Sequence, residues 1–109
     1  MIDWARVNEL RSEIGAESFD EVAVMFLEEA DEAIARLDVS KGAKALESDL
    51  HFLKGSALNL GFQRLADLCQ IAERSAALGS VAVDADEIKT SYLASKLAFD
   101  SGRDMAPIA

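Results

Sequence analysis

Apolar residues recur in steps of three and four along five stretches of this chain, and only a few residues separate one stretch from the next. A helix advances about 100° per residue, so this spacing collects them on one side of a helix rather than on a face of a strand. Asp3 is placed to cap a first helix whose Trp4, Val7, Leu10 and Ile14 share a stripe, with Gly15 as its stop. A longer helix from about Glu17 to Leu37 repeats Phe19, Val22, Phe26, Ala30, Ala33 or Ile34, and Leu37. After the break at "DVSKG", a third from about Ala43 to Asn59 presents Leu46, Leu50, Leu53, Ala57 and Leu60 and ends at Gly61. A fourth, about Phe62 to Leu78, offers Leu65, Leu68, Cys69, Ala72 and Ala76 and stops at Gly79. The fifth opens on a capping box, Asp84 with Glu87, and carries Ile88, Tyr92 and Phe99. Links this short make sequence neighbours pack antiparallel. The predicted fold is therefore all-α, an antiparallel up-and-down four-helix bundle with a short additional N-terminal helix. Residues 1–109 are read as one domain, with 105–109 as a frayed tail around Pro107.

Composition agrees and narrows the choice of partner. Only 6% of the residues are aromatic and there is one proline, which suits helices better than a sandwich. A formal charge of −9 argues against a nucleic-acid backbone or an anionic membrane as partner, because both select clustered Lys and Arg. The single cysteine, Cys69, has no partner for an internal disulfide. The opening "MIDWARVNEL" has neither a basic leader nor an apolar h-region, and no apolar run approaches a bilayer span, so the cytoplasm is the expected compartment.

The only histidine, His51, lies in the third helix, one position off Leu50 and so outside the Leu46/Leu50/Leu53/Ala57 stripe. It is expected to point outward. Gly55, one turn beyond, is a helix-interior glycine that costs about 1 kcal/mol against alanine. Removing a side chain there makes sense if something must approach the imidazole closely. Lys54 is on the adjoining surface, within reach of an anion attached to the ring. From Lys41 to Arg64 the bases Lys41, Lys44, Lys54 and Arg64 outnumber the acids Glu47 and Asp49, a local positive balance in an acidic chain. One His and one Cys make no His/Cys metal cluster, the acids scatter as a helical surface does, and no Gly-rich loop follows a strand. No metal site and no cofactor are predicted. The remaining alternatives are an interaction bundle that only docks a partner and a small carboxylate-metal protein.

The run "HFLKGSALNLG" resembles the signature of histidine-containing phosphotransfer (HPt) domains, carried here by His51, Leu53, Lys54, Gly55, Ser56, Ala57, Leu60 and Gly61. "VAVMFLEEADEAIARL" is similar to the family's acidic second helix and "IDWARVNEL" to its opening, so the resemblance covers nearly the whole chain. It implies a four-helix bundle that carries a phosphoryl group on His51 between aspartates of response-regulator receiver domains, or from a sensor histidine kinase. With no kinase or receiver segment in the sequence, the chain resembles the stand-alone type, and a monomer is expected. The resemblance implies a carrier more than an enzyme. The divalent metal is expected on the partner receiver, and Lys54 is expected to screen the phosphoryl charge.

Several members of that family place a glutamine twenty-two residues after the histidine, where this chain has Glu73. Antiparallel packing across Gly61 would let Glu73 or Gln70 orient the imidazole. A carboxylate there would hold the proton on Nδ1 and leave Nε2 as the nucleophile. A solvated glutamate on a helix face is the other reading. Phe52, Leu58 and Met25 are candidates for a docking patch around the histidine, and each could equally be core.

Overall fold

The computed structural model describes residues 2–105, with side chains described through Gly102. It is all-helical: α1 (Trp4–Ile14), α2 (Ala16–Arg36), one turn of 3-10 helix (Val39–Lys41), α3 (Ala43–Leu60), α4 (Gln63–Ala77) and α5 (Ala85–Met105). Each helix lies within a residue or so of its expected bounds. Among the described residues there is no strand, only an isolated antiparallel bridge between Ile2 and Phe62. Among the described residues no helix is long and apolar enough to cross a membrane. Of the expected frayed tail, Met105 is still the end of α5, and 106–109 lie outside the described residues.

The local signals operate as chemistry requires, with one exception. The Asp3 carboxylate accepts from the Arg6 backbone N–H at 3.2 Å, filling one of the orphan donors of the first turn. At the head of α5, Asp84 accepts from the Glu87 N–H at 3.0 Å. The other half of the expected capping box is not formed, because the Glu87 carboxylate turns to Arg64 at 3.7 Å.

The core follows the apolar stripes, and α3 is its axis. Leu46, Leu50, Leu53, Ala57 and Leu60 are all buried, and α3 packs most extensively on α4, then on α2. On α2 Phe19, Ala30 and Ala33 are buried as expected, but the middle of the stripe lies one residue over from the predicted Val22 and Phe26. Ala23 and Leu27 are buried, whereas Val22, Phe26 and Ile34 are half-buried; on α4 Leu68 is half-buried too. Steps of three and four both fit a helix, so two adjacent stripes satisfied the same periodicity. Small Ala23, Ala30 and Ala33 share the core side of α2 with Phe19 and Leu27, and Val22, Phe26 and Ile34 flank it.

One end of the molecule is closed by rings. Phe99 of α5 meets Phe62 edge-on at 5.6 Å, Phe19 at 6.5 Å and the Trp4 indole in a stacked arrangement at 6.1 Å. Farther along, the Tyr92 hydroxyl donates to Asp31 and to the Leu27 carbonyl, and Lys96 pairs with Asp31 at 3.3 Å, which ties α5 to α2. Burial, and then the Asp31 carboxylate, push the Tyr92 phenol above its ordinary range.

Two helix-interior glycines have opposite structural meanings. A Cβ at Gly102 would stand 2.2 Å from the Trp4 ring, while one at Gly55 would meet nothing within 4 Å. Gly102→Ala is expected to lose about 1–3 kcal/mol by overpacking, with a shift in Trp4 emission. Gly55→Ala is expected to gain up to about 1 kcal/mol from helix propensity alone. Urea titrations of the two variants check both signs.

Candidate functional site

The site begins with the direction of α3. Leu50, Leu53 and Ala57 are locked in the core, which turns His51 and Gly55 outward, and the His51 side chain is 74% exposed. The helix ends at Gly61, whose φ of 73° is left-handed, and the Phe62 N–H returns to the Ala57 carbonyl at 2.8 Å. This turn reverses the chain and lays α4 beside α3, bringing Glu73 next to His51 and Gln70 next to Lys54.

One carboxylate joins the group. His51 Nδ1 lies 2.8 Å from Glu73 Oε1. Lys54 Nζ donates to Glu73 Oε2 at 2.9 Å and to Gln70 Oε1 at 2.9 Å. Glu73 is only 13% exposed. Burial by itself would raise its pKa, but hydrogen bonds from Lys54 and His51, and their charge, prevail and hold it below the usual carboxylate range. An ionised carboxylate only accepts, so the Nδ1 position carries the proton and the lone pair of Nε2 is directed away from Glu73. Beneath the pair, burial pushes the Cys69 thiol up to about 12, with Glu73 adding and Lys54 opposing. Cys69 is thus a protonated core residue rather than a nucleophile.

Three of the four bases behind the local positive balance read along the sequence are paired with carboxylates. Lys41 stands 3.7 Å from Asp49, Lys54 2.9 Å from Glu73 and Arg64 3.7 Å from Glu87. Two of those three carboxylates come from other helices, which a count over 41–64 does not include. Gln70 has a partner other than the imidazole: it sits one turn nearer the hairpin and holds Lys54. Among the described residues, no group of three or more His, Cys, Asp or Glu side chains is placed to hold a metal ion.

A family model described as Hpt domain matches residues 21–98, a span that contains His51, Lys54, Gln70 and Glu73. The chain belongs to the Hpt domain family. No curated protein and no solved structure matches it. Hpt domains have a histidine phosphotransfer role in phosphorelays and are carriers rather than true enzymes; receiver domains and kinases are the kind of partner this implies.

On this Hpt domain the three residues read as docking candidates all lie outside the buried core. Met25 and Phe52 are about half exposed and Leu58 is 55% exposed. The Arg36 guanidinium covers the Phe52 ring at 5.4 Å and reaches Asp49 at 3.7 Å, an arrangement sequence reading missed because Arg36 closes a different helix. Met25, on α2, stands outside the hydrogen-bonded group.

Because Glu73 is held below its unfolded-state pKa, it contributes stability above about pH 4.5 that is lost as pH falls through its folded value. Glu73→Gln is therefore expected to lose less Tm than wild type between about pH 5 and about pH 3. Its side-chain 15N spectrum should also show a smaller share of the Nδ1–H tautomer of His51. Equal acid sensitivity of the two proteins would place the carboxylate in water.

Proposed function

We propose that this Hpt domain is a cytoplasmic, monomeric phosphorelay carrier. His51 accepts a phosphoryl group from the aspartyl phosphate of a receiver domain, or from a sensor histidine kinase, and passes it to the aspartate of a response-regulator receiver. The observation that carries the reading is an exposed imidazole whose Nδ1 is tethered to a largely buried carboxylate at 2.8 Å. The accompanying architecture is an antiparallel four-helix bundle of α2 to α5 with α1 across one end.

The chemistry follows from these atoms. Nε2 attacks phosphorus, its lone pair forms the N–P bond, and the acyl O–P bond breaks with its electron pair leaving on the aspartate carboxylate. The ring keeps its Nδ1 proton and becomes cationic, and Glu73 is in position to hold that proton. Transfer onward runs the same bonds in reverse. Such a transition state is loose, so positioning and charge stabilisation supply most of the catalysis. Lys54, fixed by Gln70 and Glu73, provides a cation beside the ring. The divalent metal is assigned to the receiver. Gly55 gives the receiver access, since nothing fills the space where its Cβ would be.

Incubation with a phosphorylated receiver is expected to leave acid-labile phosphate on His51. His51→Gln should take no label while keeping its stability within about 0.5 kcal/mol. Lys54→Ala should slow transfer, and Gly55→Gln should block loading from a receiver but not from phosphoramidate, a donor small enough to avoid the side chain. Full labelling of the His51→Gln protein would remove the basis of the reading.

A further inference from the structure

Along the exposed side of α3, Leu58 follows His51 by seven residues, about 20° short of two turns and about 10.5 Å farther along the axis. Between them stands Gly55, which leaves the surface bare. Leu58 opens into a cleft of about 290 Å³ where α1, the end of α3 and the start of α4 meet, lined also by Asp3, Arg6, Gly61, Gln63 and Asp67. We propose that this cleft is the second contact of the receiver domain: it takes an apolar side chain of the receiver flanked by a basic residue, and so helps to select the partner.

The inference rests on the carrier reading, because that reading places a receiver over His51. A standard interface covers roughly 800 Å² of each partner, a disc of roughly 16 Å radius, and an encounter half that size still spans roughly 11 Å. Either footprint, centred on the imidazole, reaches Leu58. The cleft is also built in advance. The Asp3 N–H donates to the Gly61 carbonyl at 2.7 Å and Ile2 bridges Phe62, so its floor is backbone tied to backbone, and little ordering is left to occur on binding. The charge of the rim indicates the chemistry of the occupant. Asp3 and Asp67 face a single base, Arg6, whose guanidinium is already paired with Glu9 at 2.7 Å. A basic side chain beside an apolar one complements that rim, whereas an acidic one is repelled.

The test is transfer from the phosphorylated full chain to a receiver domain, followed over a range of receiver concentrations. Leu58→Ala should raise the half-saturating concentration about fivefold with the plateau rate unchanged. Asp67→Lys should do the same, most strongly at low salt. Both variants should accept phosphate from phosphoramidate as wild type does, which separates docking from chemistry. Unchanged half-saturation in both variants overturns the cleft while leaving the carrier reading in place. A wild-type chain that labels with phosphoramidate but transfers to no receiver overturns both. A concentration-dependent dimer abolished by Leu58→Ala would assign the cleft to a second copy of this chain and overturn the receiver.

Discussion

The left-handed turn at Gly61 sets the register on which the rest of the site depends. Its φ of 73° excludes most side chains, and a Cβ there would stand 2.7 Å from the Asp3 carbonyl oxygen, so the same residue closes the α3–α4 hairpin and seats the start of α1. Slipping α4 by one residue would turn it by about 100° and put Ala72 or Arg74 where Glu73 now meets His51. The geometry of the imidazole is thus decided ten residues away, by backbone conformation rather than by anything near the ring.

Given that register, one carboxylate organises the chemistry. Glu73 accepts from a ring nitrogen and from an ammonium at once, and because it is largely buried these bonds are little diluted by water. The arrangement fixes the tautomer, and it also means that Lys54 is committed rather than free. An incoming phosphoryl group meets a site already near neutrality. Attraction at long range then has to come from the partner's own cations, while the cation beside His51 acts only at contact.

Much of this was legible in the chain, and the failures have physical causes. Helix positions were readable because glycines and Asp3 punctuate strong periodicity, and the outward histidine followed from its neighbours' stripe. The family was readable from the run around His51, and the match over 21–98 agrees. That Glu73 could meet His51 came from the resemblance and an antiparallel hairpin, which left Gln70 and a solvated glutamate as alternatives. What periodicity could not resolve was the rotation of α2, where a stripe through Val22 and Phe26 and one through Ala23 and Leu27 fit equally well. Ion pairs between helices were invisible for a similar reason: the partners of Lys54 and Arg64 lie on other helices.

Cys69 of α4 is fully buried in the core, with its thiol held in the protonated form by that burial. An alkylating reagent reaches it only when the core around it opens. The rate at which this sulfur is modified therefore reports how readily the core beneath His51 and Glu73 opens.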